Sequence, residues 1–503
     1  MTLKKLILPL VFFLLAQVSL TQSNTMYYLS GVPQAYYLNP AHQPQPNIFI
    51  GCPVFSSFYV ETYNNSVNLG DMVWNDPETN EVIHPFHPDA GMEEFLAKFD
   101  DVTNFSLNLD FSPVSFGFRV KKMYFMFDVV SRLHQSSSFS SEIVDFTILG
   151  NADSTEYNFS DIGFNFTEHM EIGLNVSRKF GDMITVGIRP KILLGFATLS
   201  SQNNDITLYT ANDVWQFDSH LELQLATPGL IIPTDETGTF DPSGEFVFDS
   251  TVTSVRDYRS TATGNKGFGI DIGVNVTPMK ELTLSASIID LGVIKWKNYL
   301  HTATLEGSFD FEGYEYEFEG ASSEEDTAGF VDYLLDTLTS NFSVSGNSDP
   351  FTTRLTPKIF LGASYSILPS LDIGLLARFD IPESGLKSNL MLHAHWHPST
   401  VFGLSASYSP FGGRATTFGL GISLRAGPFS FYTVGDYRVL KYTLYKYDMS
   451  SSENISYDYN IPVFLTADDR SRMNFRVGLN FVLGWNQRKK LMKDKPMYYS
   501  EDY

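Results

Sequence analysis

The 503-residue chain reads as an all-β protein, a transmembrane antiparallel β-barrel of about 14 strands. Three observations predict it. The first is alternation. In RMNFRVGLNFVLG (Arg472 to Gly484), Met473, Phe475, Val477, Leu479, Phe481 and Leu483 share one side of an extended strand, and Asn474, Arg476, Gly478 and Asn480 share the other. Successive side chains of a strand point to opposite faces, so one face is an apolar stripe and the other carries an arginine. The pattern recurs along most of the chain. The second is composition. With 42 Phe and 26 Tyr the chain is 15% aromatic, yet its mean hydropathy is only −0.08. Beyond the N-terminus no apolar run reaches the length of a membrane helix, whereas a barrel strand needs only every second residue apolar. The third is the rhythm of connections, short after every second strand and long after the others, as in outer-membrane barrels.

The chain opens MTLKKLILPLVFFLLAQVSLTQS, with basic Lys4 and Lys5, an apolar run from Leu6 to Val18, then small and polar residues. This is the layout of a secretory signal peptide over 1–22, which places the mature start near Gln22 to Thr25. Cys52 lies too far downstream to be a lipidated first residue. As the only cysteine it excludes an intrachain disulfide and a cysteine-based zinc cluster. A net charge of −23 and a pI near 4.7 argue against nucleic acid as a partner.

Residues 23–47 form an irregular segment, because Pro33, Pro40, Pro44 and Pro46 preclude a helix or a central strand. The barrel is expected over 48–484. Strand 1 runs from about Ile48 to Tyr63; an excursion over 64–103 contains a helix-like piece, Gly91 to Phe99. Strand 2 spans Asn104 to Val120 with a break at Pro113. It turns at Lys121–Lys122 into strand 3, where Phe125, Phe127 and Val129 alternate with Tyr124, Met126 and Asp128. Strand 4 (Ile172, Leu174, Val176) turns at Gly181–Asp182 into strand 5 (Ile184 to Ile192), and 196–265 reads as the longest excursion. Strands 6 (Phe268 to Val274) and 7 (Leu282 to Ile288) follow, then an acidic excursion over 292–354 with an amphipathic helix at Glu324 to Phe342. Strands 8 (Thr356 to Ser366), 9 (Leu371 to Asp380), 10 (Lys387 to His397), 11 (Val401 to Ser409), 12 (Ala415 to Ala426) and 13 (Phe429 to Leu440) come in quick succession. A loop over 441–471 leads to strand 14. An even strand count leaves both termini on the periplasmic side, with 485–503 as a periplasmic tail.

If the apolar stripe faces lipid, a charge on it at mid-membrane costs about 2–4 kcal/mol. In this register Arg119, Asp128, Glu171, Arg189, Lys191, Asp271, Lys358, Asp372, Arg378 and Arg476 all face the lumen. A one-residue slip in any strand would move its charge into lipid, so burial sets the register. These charges are expected to pair across a filled barrel; an ion-selective constriction is the other reading.

Several stretches, among them YYLSGVPQAYYLNPAHQP, GCPVFSSFYVETYNNS, SFGFRVKKMYFMFDVVSRL, EIGLNVSRKFGDMITVGIRPKILLG, PKIFLGASYSI and RVGLNFVLGW, resemble an outer-membrane family of gliding, envelope-rich Gram-negative bacteria. That family is described as a domain of unknown function. It is similar in layout to the FadL long-chain fatty-acid transporters, and more distantly to the PorV and PorP/SprF barrels that accompany type IX secretion. The resemblance covers essentially the whole mature chain. It implies a fourteen-stranded barrel with residues 23–47 folded into the lumen as a hatch, in which Asn39, Pro40 and Ala41 match an Asn-Pro-Ala segment. No ligand-binding residues carry over, because the external excursions do not match.

His393, His395 and His397 in LHAHWHPS share one strand face. Such a ladder can hold zinc or copper. No carboxylate or cysteine ligand is evident nearby, so polar rings lining the lumen are the expected reading, with no metal and no cofactor. No nucleophile with a base, phosphate loop or supported carboxylate pair appears, so an enzyme is not expected. The sequence supports an outer-membrane barrel, embedded in outer-membrane lipid, that passes or binds small hydrophobic molecules taken up by external loops and released through a barrel opening. The alternative is a non-transporting scaffold that holds envelope or secretion proteins.

Overall fold

The computed structural model describes residues 23–484 except 30, 54, 68–73, 76–81, 84–91, 150–155, 211–213, 232–246, 249–263, 312–341, 346–348, 383–385, 412–416 and 438–471. The expected signal peptide, the helix at Glu324 to Phe342, the loop over 441–471 and the C-terminal tail therefore lie wholly or almost wholly outside the described residues.

Alternating sequence becomes a closed ring of fourteen antiparallel strands. These are β1 (Ile48–Gly51 and Ser57–Asn64), β2 (Val102–Val120), β3 (Met123–Ser140), β4 (Gly163–Phe180) and β5 (Ile184–Tyr209). Next come β6 (Asn265–Met279), β7 (Leu282–Trp296), β8 (Phe351–Arg354 and Lys358–Leu368), β9 (Leu371–Asp380) and β10 (Lys387–Trp396). The ring ends with β11 (Phe402–Phe411), β12 (Thr417–Ala426), β13 (Phe429–Tyr437) and β14 (Arg472–Leu483). Each strand pairs with its neighbours in sequence. The ring closes where β14 meets β1, with Ile48 opposite Leu483 and Tyr59 opposite Arg476.

Three details differ from expectation. First, β1 is interrupted: between its halves Cys52 N–H donates to Leu479 O at 2.8 Å and Leu479 N–H donates to Phe55 O at 2.9 Å, so one residue of β14 holds an inserted piece. Pro53, which has no N–H to give the ladder, sits inside that bulge. Second, β2 does not break at Pro113; the ladder to β3 shifts register between Phe111 and Val114 and continues. Third, the stretches read as excursions over 196–265 and 292–354 begin as sheet. β5 is 26 residues long, and Trp215–Ala226 and Leu300–Phe311 extend the same sheet. These strands outlast the barrel because they have a second core to cover. Tyr157, Phe159, Ile206, Leu208 and Leu221 pack together there, with Ile143 and Phe146 of the helix Ser141–Leu149 against them.

The wall has two unlike faces. Outward residues such as Phe118, Leu174, Ile188, Leu375, Leu392 and Leu420 are large, apolar and exposed, while the charged and amide side chains between them are buried within the ring. No helix among the described residues is long and apolar enough to cross a membrane, a fact that bears only on helices.

The ring interior is not empty. The described residues of 23–47 make two 3₁₀ turns, Ser23–Tyr28 and Pro33–Tyr37, and most of them are buried against inward-facing wall residues. Met26, Leu29, Val32 and Leu38 pack on Ile289, Phe360, Leu376 and Met391 of β7 to β10, and Tyr36 and Tyr37 pack on Phe49, Tyr124 and Met126 of β1 and β3. The apolar core thus lies between this segment and the wall.

Candidate functional site

The Asn39-Pro40-Ala41 turn is built from its own side chain outward. Asn39 Oδ1 accepts from Ala41 N–H at 2.9 Å, the local bond that lets asparagine close a tight turn. Its amide then donates to Asn275 Oδ1 of β6 at 2.8 Å and to the Tyr27 hydroxyl at 3.0 Å. Asn175 of β4 donates to Pro40 O at 3.2 Å. The turn approaches β5 and β6 at Gly187 and Gly273, which face each other across those strands. A methyl group at Gly187 would overlap Pro40 O, and one at Gly273 would overlap Asn39 Oδ1. Glycine here makes the slot for the turn. Elsewhere the segment is held by Gln34, which donates to Asn480 of β14 at 2.6 Å, and by Arg119 of β2, which donates to Gln43 at 2.7 Å and also to Pro44 O.

Against this segment lies a layer of buried and half-buried charge. Arg189 of β5 pairs bidentately with Asp128 of β3, and its Nη1 donates to Asp271 of β6 at 2.7 Å. Lys191, two residues along β5, reaches Asp290 at 2.6 Å, Asp271 at 2.9 Å and Glu171 at 3.3 Å. Lys358 of β8 reaches Asp290 at 2.7 Å, and Arg132 of β3 reaches Asp290 at 3.2 Å and Glu171 at 3.4 Å. Arg476 of β14 meets Asp110 of β2 at 3.1 Å. Five cations (Arg132, Arg189, Lys191, Lys358, Arg476) thus meet five carboxylates (Asp110, Asp128, Glu171, Asp271, Asp290) in one network. Buried ions persist only when so compensated. Tyr36 ties the layer to the N-terminal segment by donating to Asp128 at 3.1 Å. Arg378 stands apart, paired with Asp380 at 2.6 and 2.8 Å and donating to Asn24 at 3.1 Å.

Asp290, Arg132 and Asp110 belong to the layer but escape the sequence reading. By strict alternation from Ile288, Asp290 would face outward. A bulge places both Ile289 and Asp290 opposite Asp271, and Asp290 takes a φ of 62°, so both residues turn inward. Such a backbone is costly for aspartate, and here three cations hold it. Arg132 was findable, since it continues the inward series Asp128, Val130; the serine-rich run after it disguises a strand as a loop.

Toward the long-connection end the layer forms the base of a cavity of about 860 Å3. Toward the short-turn end lies the histidine ladder. His393 and His395 stack with ring centroids 6.2 Å apart, while His397 lies tilted against His395 at 4.9 Å and Tyr28 tilted against His393 at 4.6 Å. One expectation is corrected: a carboxylate does stand here, because His397 bonds Asp372 of β9 at 2.8 Å. Strand pairing brings it there, as His395 lies opposite Asp372. His395 bonds Ser405 at 2.8 Å. Among the described residues no three His, Cys, Asp or Glu side chains converge as a metal site.

A model of a family of unknown function (DUF5723) matches residues 40–436, most of the chain. The chain belongs to that family. No curated protein matches it. Among solved structures it is similar to a FadL homologue of Pseudomonas aeruginosa, with 10% identity, a TM-score of 0.41, and coverage of 93% of this chain and 100% of that one. The toluene transporter TbuX of Ralstonia pickettii gives 9% identity and a TM-score of 0.40, covering 91% of this chain and 100% of that one. The toluene transporter TodX of P. putida gives 8% and 0.34, covering 89% and 92%.

Proposed function

We propose that the chain is an integral outer-membrane barrel, closed at rest, that binds or passes small hydrophobic molecules. One observation carries the reading: a single wall with an apolar, exposed outer face and a charged, filled interior. Lipid is the solvent such an outer face fits, since its backbone groups are already paired around the ring. The short turns lie toward the periplasm and the cavity opens toward the outside. Residues 23–47 act as the hatch, with Asn39, Pro40 and Ala41 seated in their glycine slot, and the charge layer seals the remaining section. Passage then requires the hatch to shift, since both sides of the wall grip it. Leu38, Ile289 and Leu355 give the cavity base its apolar ground.

Fractionation and uptake test this together. The protein expressed with its own leader should band with outer membranes, run faster on gels before boiling than after, and raise the uptake of N-phenyl-1-naphthylamine by intact cells. Recovery in the soluble periplasm would end the membrane reading. Outer-membrane location with unchanged uptake would end the transport reading alone.

A further inference from the structure

The cavity lining is sorted by height, and strand pairing does the sorting. At its base the cations are already committed: Arg132 and Lys358 to Asp290, Arg378 to Asp380, and Arg476 to Asp110. One step further along the strands, Asn108, His134, Thr167 and Thr198 stand opposite one another on β2 to β5. That row satisfies itself, with His134 bonded to Asn108 at 2.6 Å and Thr167 to Thr198 at 3.1 Å. One step beyond comes a third row, Ser106, Ser136, Asn165 and Ser200, again directly opposite one another on the same strands. Ser200 accepts from Gln202 at 2.8 Å. The side chains of Ser106, Ser136 and Asn165 make no hydrogen bond among the described residues, and all three line the cavity. Neighbouring strands lie about 4.8 Å apart, so these groups form a ledge of uncharged donors and acceptors at that spacing.

We infer that the cavity takes an uncharged ligand whose apolar body lies on the base and whose hydroxyl or carbonyl groups bond the Ser106–Ser136–Asn165 ledge. The inference rests on the binding function proposed above and names the class of ligand. A carboxylate or ammonium head would leave water for a base whose ions already have partners, and desolvating it there would go uncompensated. A neutral head loses less on leaving water, and the ledge replaces the hydrogen bonds it gives up. Volume agrees, since cavities of roughly 300–1,000 Å3 suit small ligands.

The test uses the full barrel in lipid nanodiscs and three probes with one eight-carbon chain: octyl β-D-glucoside, octanoate and octylammonium, each below its micelle concentration. Saturation-transfer NMR, corrected with empty nanodiscs, reads binding. The glucoside should bind saturably and tighter than either ion. The triple variant Ser106→Ala, Ser136→Ala, Asn165→Ala should weaken it about tenfold or more. These exposed-side truncations add no bulk, and unchanged heat-modifiable gel mobility checks that the barrel is formed. An ion binding as tightly as the glucoside, no binding of the glucoside, or an unchanged variant each overturns the inference. Dye uptake by intact cells does not depend on the glucoside, so the transport reading can survive the failure of this one.

Discussion

The two sides of the ring hold the same N-terminal segment by different means. Strands β2 to β7 are 15 to 26 residues long, and they supply most of the buried charge and both slot glycines. Strands β9 to β13 are 9 or 10 residues long and hold the segment through contacts that do not share partners, among them Arg378 of β9 donating to Asn24 at 3.1 Å. There Thr25 meets Ser407 at 2.6 Å and donates to Asp436, Tyr28 donates to Leu375 O at 2.6 Å, and the Tyr28 ring packs against that of His393. The long side is a shared ionic network, in which removing one member strands several others. The short side is a set of separate bonds, each lost alone. Grip on the segment is therefore graded across the barrel, strong where strands are long and divisible where they are short.

The largest expected effect breaks the strong side. Arg189→Leu leaves Asp128 and Asp271 buried without their main cation and should cost about 3–5 kcal/mol, read as the urea midpoint of barrel unfolding in detergent. A loss below about 1 kcal/mol would mean the network is hydrated and not one unit. Leu375→Arg tests the wall on the short side. Its side chain points outward from β9, so a lipid-facing position costs about 2–4 kcal/mol in the same measurement, and a near-zero cost would remove this face from the membrane. Gly187→Ala sharpens the comparison by pushing on Pro40 while leaving the charges intact. A loss of about 1–3 kcal/mol is expected, together with new protease cleavage within residues 23–47 in folded protein. Thr25→Val is the mildest, removing one hydroxyl from the short side for about 1–2 kcal/mol. If it exceeds Arg189→Leu, the ranking of the two sides is reversed.

Much of this was legible because alternation is a local property. The outward stripe of β14, the inward Arg476, and the near-exact limits of β9 follow from residues two apart. Asp290 was not legible, since its direction depends on a bulge defined by the neighbouring strand. Nor was the Asp372–His397 bond, which joins residues brought together only by strand register. The extended sheets beyond the barrel were missed for a third reason: Ile206 and Leu221 are buried by a helix and strand from elsewhere in the chain, and polar residues around them read as loop. The ledge of Ser106, Ser136 and Asn165, unbonded among the described residues, falls on three strands and has no signature in any one of them.

The seam between β1 and β14 has a consequence for assembly. Ile48 pairs with Leu483, so the ring shuts only when the two ends of the barrel-forming sequence meet. A pairing of such sequence separation is slow to form, because loop closure must precede any reward from it. Residues 23–47 are joined directly to β1 and touch both sides of that seam, as Gln34 does with Ser56 and Asn480. They are thus in position to act as a mould around which the later strands gather, and a chain lacking them would close with Asp128 missing its Tyr36 donor and Arg119 missing its Gln43 acceptor.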